Sequence, residues 1–218
     1  MEIELSPIEA RVLGSLIEKA VTTPDYYPLS LGSLTGACNQ KSNREPVMNL
    51  SETEVLAAVD GLVAKRMVSE KTPSGSRVTK YSHRLSNTLG LTYDFTVQAL
   101  GLLCLLMLRG PQTLGELRGR SGRLCEFANL EQVEDALTSL IERKDGPYVA
   151  RLPRQAGRKE LRYAHLLCGA PDMTAELATP TSPSSSRQSD SGNRLAALEA
   201  EVARLRIEFD ELKQNLGE

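Results

Sequence analysis

Apolar residues recur every three to four positions in several stretches of the first 169 residues, and such spacing predicts helices. Shorter apolar runs on either side of turn-forming clusters predict pairs of strands. The predicted helices cover residues 7–20, a short segment that begins at residue 30, and residues 51–66, 95–109, 113–122 and 130–144. The predicted strands cover residues 67–72, 78–85, 148–152 and 160–167.

Polar residues mark the ends of the first and third helices. Ser6 is the predicted N-cap of the first helix, with Pro7 at its first position and Glu9 at its third, which is the arrangement of a capping box. The third helix is predicted to begin near Ser51 and to end around Arg66, whose charge complements the helix dipole.

The chain contains an internal duplication. Residues 28–36 and 111–119 share the pattern P-x-[ST]-L-G-x-L-x-G, and an apolar helical stretch precedes each copy. Each copy ends with a Tyr-x-His element, so the only two histidines, His83 and His165, stand at equivalent positions. A repeat of this length predicts two units of the same fold.

Within each copy the predicted order is three helices followed by a two-stranded hairpin. This is the order of a winged helix-turn-helix. We therefore expect a mainly α protein of the α+β class, with tandem winged helix-turn-helix domains at residues 1–88 and 89–169.

The composition changes after residue 169. Residues 170–193 are rich in Ser and Pro and are predicted to form a flexible linker. In residues 194–216 the apolar side chains have the a and d spacing of a coiled coil, with acids on g positions and bases on e positions, which favours a parallel homodimer. The alternative is an amphipathic helix that docks on its own body. The predicted dimerisation residues are Leu195, Leu198, Val202, Leu205, Phe209, Leu212 and Leu216.

Composition narrows the class of protein. Hydrophobic residues make up 40% of the 218-residue chain, charged residues 25% and aromatic residues only 4%, with no Trp. This composition argues against a β-sandwich and leaves few aromatic rings on which single-stranded nucleic acid would stack. No apolar run approaches the roughly 20 residues of a membrane span, and the acidic start of the chain differs from a secretory signal. We expect a cytoplasmic protein that has no membrane partner and keeps its four cysteines as thiols.

Three further motifs accompany the Tyr-x-His element: KSNREPV at residues 41–47, GPQT at residues 110–113 and LPRQAGR at residues 152–158. Together they resemble the YceH-like family of uncharacterised bacterial proteins, over residues 5–169. The resemblance implies a tandem winged-helix fold. It carries no catalytic or ligand-binding residue over to this chain, and it does not extend to the linker and the coiled coil.

No set of residues in the sequence assembles an active site, so we expect a protein that is not an enzyme and takes no cofactor. The two histidines are predicted to be structural and to hydrogen-bond backbone groups at strand ends. The cysteines lack metal-ligand spacing and are predicted to be buried or partly buried. Cys125 is the candidate exception, because the nearby Arg123 would lower the pKa of its thiol and make it a redox sensor.

Basic residues concentrate on the predicted turns and hairpins. Residues 1–169 hold 21 Lys and Arg against 19 Asp and Glu, whereas residues 170–218 hold 5 against 9. In a winged helix, cations on the hairpin and at a helix entrance contact DNA phosphates and release counterions. The candidate nucleic-acid-binding residues are Lys41, Asn43, Arg44, Lys71, Arg77, Lys80, Arg118, Arg120, Arg123, Arg154, Arg158 and Lys159.

The third helix of each copy argues against base readout. It carries acids, such as Glu52 and Glu54 in the first copy and Glu131 and Glu134 in the second, where a base-reading helix offers Arg, Lys, Asn or Gln. Two functions therefore stay open. The first is a dimeric DNA-binding protein, such as a transcriptional regulator, that contacts duplex phosphates through basic hairpins. The second is a scaffold of tandem winged helices that recruits a protein partner.

Overall fold

The computed structural model describes residues 4–72, 75, 77–85, 94–154 and 160–169. All of these belong to one compact unit, Met1–Pro171. The predicted linker at 170–193, the predicted coiled coil at 194–216 with its dimerisation residues, and Arg158 and Lys159 lie outside the described residues.

The described residues form an α+β fold in which the same order of elements occurs twice, so the expected α+β class is confirmed. The elements of the first repeat are α1 (Pro7–Thr22), β1 (Leu29–Ser30), α2 (Leu31–Cys38), α3 (Glu52–Ala64), β2 (Val68–Lys71) and β3 (Lys80–His83), with a 3-10 turn at Pro24–Tyr26 after α1. The elements of the second repeat are α4 (Val97–Arg109), β4 (Gln112–Thr113), α5 (Leu114–Ser121), α6 (Leu130–Ile141), β5 (Val149–Arg151) and β6 (Arg162–His165). None of the described helices is both long and apolar enough to cross a membrane.

Each repeat has one three-stranded antiparallel sheet, with the strand order β1-β3-β2 in the first repeat and β4-β6-β5 in the second. The registers are equivalent, since Leu29 pairs with Tyr81 and Gln112 pairs with Tyr163. The two hairpins were predicted, but β1 and β4 were not. A strand of two residues is too short to show a period of two, so only its pairing with a distant strand reveals it.

The predicted helix caps are confirmed. Ser6 Oγ accepts from the Glu9 N–H at 3.1 Å, and the Ser6 N–H donates to Glu9 Oε2 at 2.7 Å, which completes the capping box of α1. Ser51 caps α3 in the same way. However, α3 ends at Ala64, before the predicted Arg66, because Arg66 has a φ of 59° in the left-handed region, where a helix cannot continue. The other helix bounds lie within three residues of those predicted.

The two repeats share one hydrophobic core because α1 packs against α4. Residues 9–18 of α1 and 99–108 of α4 are buried on every side of each helix, as expected for helices in the middle of a core. A Cβ atom at Gly14 would lie only 3.0 Å from Cγ of Leu108, so the absence of a side chain lets the helices approach closely. The Cys104 thiol donates to the Gly14 carbonyl at 3.3 Å across this contact.

Buried polar groups of α1 hold the connection between α2 and α3. The Arg11 guanidinium donates to the Cys38 carbonyl at 3.1 Å and to the Pro46 carbonyl at 2.7 Å. The same connection also contacts α4 of the second repeat, where the Glu45 N–H donates to the Leu108 carbonyl at 2.8 Å. The segment from residue 39 to residue 50 is therefore fastened to both repeats.

The close contact of α1 and α4 predicts that Gly14→Val lowers the free energy of unfolding by about 1–3 kcal/mol, because the added methyl groups overpack the contact with Leu108. The matched control is Gly36→Val in α2, where an added Cβ meets nothing within 4 Å. Urea unfolding followed by circular dichroism measures both. Equal stability of the two variants would contradict the assignment of α1 and α4 as the close contact.

Candidate nucleic-acid interface

In the second repeat, Arg118 and Arg154 are exposed cations beside the predicted DNA-contacting elements. Arg118 lies on α5, and its Nη2 donates to the Ala128 carbonyl at 2.9 Å just before α6 begins. Arg154 follows β5, where the hairpin connection starts. Neither of them has an acidic partner among the described residues, so their charges remain available to an external anion.

In the first repeat, the candidate cations are spread along the α2–α3 connection and the β2–β3 hairpin. Lys41 lies in the connection, Lys71 ends β2, Arg77 precedes β3 and Lys80 begins it. Lys80 is half-buried and the other three are exposed. Within the part of the chain that the structure describes, none of these four forms an ion pair.

Arg44 lies in the interior and not on this surface. It is 5% exposed, and its guanidinium forms two hydrogen bonds with the Glu18 carboxylate, at 2.6 and 3.2 Å. The Ala37 carbonyl accepts two further bonds from it. Breaking such a buried pair costs several kcal/mol, so Arg44 is not available to DNA and its prediction as a nucleic-acid contact is wrong. No local pattern in the sequence indicated this, because the partner carboxylate of Glu18 lies 26 positions earlier in the chain.

The packing of α1 against α4 brings Asn43 of the first repeat together with Arg120 and Arg123 of the second. They line a cleft of about 270 Å³ that also contains Arg109, at the C-terminal end of α4. We call this site the junction cleft. Three of its residues were predicted as nucleic-acid contacts in separate parts of the chain, and Arg109 was not among the candidates.

Neutral side chains hold two of the arginines in the junction cleft. Arg109 Nη2 donates to Asn43 Oδ1 at 2.8 Å, and Arg120 Nη1 donates to Gln112 Oε1 at 2.8 Å. Gln112 is buried and donates in turn to the Leu105 carbonyl at 3.1 Å. Burial lowers the pKa of the Arg109 guanidinium below its usual value, and the nearby charge of Arg120 lowers it further.

The acids of α3 and α6 are partly engaged in local contacts. Glu54 completes the capping box of α3 with Ser51, and Glu134 of α6 accepts from Arg151 of β5 at 3.1 Å. Glu52, Asp60, Glu131 and Asp135 are exposed and form no ion pair among the described residues. Their charge opposes the close approach of phosphates to the exposed faces of α3 and α6.

The two histidines occupy equivalent places at the ends of β3 and β6. Burial lowers the pKa of each imidazole to about 4, so both are neutral at pH 7. His83 Nδ1 accepts from the Leu85 N–H at 3.3 Å, as predicted for a strand end. His165 Nδ1 is buried without a hydrogen-bond partner in the described structure. Across the described ranges, no three potential metal ligands come together.

Cys125 does not have the environment of a redox sensor. Its Sγ is buried against α4, where it lies 2.6 Å from the position that a Cβ of Gly101 would take. Burial raises the pKa of the thiol to about 11, whereas the sequence suggested that the nearby Arg123 would lower it. The prediction of buried or partly buried cysteines is therefore confirmed, and the alternative of a reactive thiol at Cys125 is wrong.

Taken together, the fold and the site define an α+β protein of two like repeats that are joined through α1 and α4, with an arginine-lined cleft at the junction. The family model described as "Protein of unknown function, DUF480" matches residues 5–158, and the chain belongs to this family. The expected membership of an uncharacterised bacterial family is thus confirmed.

Relatives match over nearly the whole chain. The chain is 54% identical over 213 residues to the UPF0502 protein VS_II0353 of Vibrio atlanticus, which covers 98% of this chain and 97% of that one. It is 50% identical over 218 residues to a UPF0502 protein of Aeromonas hydrophila, which covers 100% of this chain and 99% of that one. The C-terminal segment is therefore included in both matches.

The neutral histidines predict a loss of stability in mild acid. An unfolded imidazole has a pKa of about 6.5, so the unfolded state binds more protons than the folded state between about pH 6.5 and pH 4. The contribution of the two histidines to the free energy of unfolding is therefore fully present above about pH 6.5. It decreases as the pH drops, by at most about 1.4 kcal/mol per pH unit for each histidine.

His165→Gln should reduce this slope between about pH 6.5 and pH 5, where carboxylates contribute little. Urea unfolding at several pH values measures the slope. An exposed-site substitution, Lys144→Ala, is the control and should retain the original slope. An unchanged slope in His165→Gln would show that His165 is not buried in its neutral form.

Proposed function

We propose that this protein is a non-enzymatic DNA-binding protein whose two repeats are winged helix-turn-helix units. The element order supports this, because each repeat has a short strand between its first and second helices and a hairpin after its third. The sheet order supports it as well, since the last strand of each repeat lies between the other two. In this assignment α2–α3 and α5–α6 are the helix-turn-helix pairs, and the two hairpins are the wings.

The observation that carries the proposal is the exposure of unpaired cations on these elements. Arg118 lies beside the α5–α6 turn, and Arg154 lies after β5, where the connection of the second hairpin starts. Lys71 and Arg77 occupy the corresponding hairpin in the first repeat. Exposed Lys and Arg side chains that lack an acidic partner gain the most from a phosphate, because each contact releases a counterion from DNA.

The acids of α3 and α6 argue against base readout by these two helices. The cations of the turn and the wings are then left to bind DNA through its phosphates. A helix that reads the major groove presents Arg, Lys, Asn or Gln to base edges. The exposed side chains near the start of α6 include Glu131, and Gln132 is engaged with the Ala128 N–H at 2.9 Å. We therefore propose binding that depends weakly on DNA sequence and strongly on salt.

The predicted coiled coil at 194–216 would bring two chains together. A dimer would then place four winged-helix units on one duplex and would multiply the number of phosphate contacts. This part of the proposal rests on the heptad spacing alone.

A second candidate function, a scaffold that recruits a protein partner, is favoured by one specific surface. The outer side of α3 exposes Glu52, Glu54 and Asp60 together with Leu56, and it carries no cation. An acidic surface with an exposed apolar residue suits a basic protein partner better than it suits DNA.

The DNA proposal predicts that the full-length protein binds a labelled random-sequence duplex with an affinity that falls linearly in log salt. The double variant Arg118→Ala and Arg154→Ala should bind more weakly at low salt. Its salt slope should be shallower by about 0.9 for each phosphate contact that is lost. Fluorescence anisotropy across a salt series measures both quantities.

The charge-matched control is the double variant Arg66→Asn and Lys144→Ala, which removes two exposed cations away from the turn and the wing of the second repeat. Asn is chosen at position 66 because it tolerates the positive φ of 59° there. This control should keep the original slope. If the wild-type protein fails to bind the duplex at low salt, the DNA proposal is wrong and the scaffold function becomes the leading one.

A further inference from the structure

The junction cleft has an excess of positive charge that its own acids do not neutralise. Arg109, Arg120 and Arg123 line it, and Glu18 is its one lining acid among the described residues. The Glu18 carboxylate is already occupied by two hydrogen bonds from Arg44. Glu116 lies 3.3 Å from Arg120, but it is shared with Arg162 at 3.7 Å.

The guanidinium groups are positioned before any ligand arrives. Arg109 donates to the amide oxygen of Asn43, which fixes its guanidinium without cancelling its charge. Arg120 is fixed by its bond to the Gln112 amide oxygen and by the ion pair with Glu116. Burial and the proximity of Arg120 disfavour the charged form of Arg109 and lower its pKa, although the charges of Glu45 and Glu116 offset part of this effect. A bound anion would relieve this repulsion and would require little reorganisation.

The shape and the chemistry of the cleft limit the class of ligand. Guanidinium groups match the oxygens of phosphate in two-point hydrogen bonds. The volume of about 270 Å³ is slightly below the range of about 300–1,000 Å³ for drug-sized ligands, so the ligand is small. Leu105, Leu108 and Leu124 supply an apolar wall that would contact a carbon skeleton.

We infer that the junction cleft binds a small phosphorylated molecule, with its phosphate held by Arg109, Arg120 and Arg123. Asn43 comes from the first repeat and the three arginines come from the second, so the occupied cleft joins both repeats. Bound ligand therefore stabilises the junction against opening. The inference does not rest on DNA binding, since a free phosphate group carries the same chemistry as a phosphate of the duplex backbone.

The test uses the full-length protein with pyrophosphate as the probe, and sodium chloride at matched ionic strength as the reference. Isothermal titration calorimetry should show saturable binding, and pyrophosphate should raise the melting temperature. In the double variant Arg120→Gln and Arg123→Gln the affinity should fall at least about tenfold, because two charged contacts are lost. The control Arg118→Gln and Arg154→Gln, outside the cleft, should bind pyrophosphate like the wild type.

Arg123→Gln alone is the second variant. Arg123 is exposed and makes no hydrogen bond or ion pair within the described ranges, so its replacement leaves the fold intact. It should also weaken pyrophosphate binding. The inference is overturned if the wild type shows no saturable binding up to about 10 mM pyrophosphate, or if these variants bind it unchanged. It is also overturned if the cleft variants lose duplex affinity and pyrophosphate competes with the duplex, because the cleft then serves the DNA backbone.

Discussion

The close packing of α1 against α4 is the contact on which the arrangement of the two repeats depends. Each of these helices is buried on all sides, so neither repeat can bury the apolar surface of its first helix without the other repeat. Gly14 permits the short distance between the helices, and the hydrogen bond from Cys104 to the Gly14 carbonyl crosses it. The duplicated sequence has thus produced two units that complete one core.

This contact also determines which polar groups meet. It places the α2–α3 connection of the first repeat beside the end of α4. There the Glu45 N–H donates a hydrogen bond to the Leu108 carbonyl, and Asn43 accepts one from Arg109. The buried pair of Arg44 and Glu18 holds the same connection from inside. A buried ion pair adds little net stability, but it is costly to break, so it restricts the connection to one conformation. The junction cleft is a consequence of this fixed arrangement.

Local signals predicted most of the fold. Ser6 with Glu9 and the repeated hydrophobic spacing located the helices, because a cap and a periodic face depend on neighbours in sequence. The strands β1 and β4 and the interior position of Arg44 were not predicted, because each depends on groups distant in the chain. The junction cleft was missed for the same reason: Asn43 and Arg120 were both candidates, but only the α1–α4 packing brings them together.

Native-state hydrogen exchange tests the shared core most directly, because it reports the opening free energy of each helix separately. If α1 and α4 complete one core, their slowest amides exchange with the same free energy and respond equally to low concentrations of denaturant. A difference between the two helices of more than about 2 kcal/mol would mean that the repeats open independently. The packing of α1 against α4 would then not be the contact that unites the two repeats.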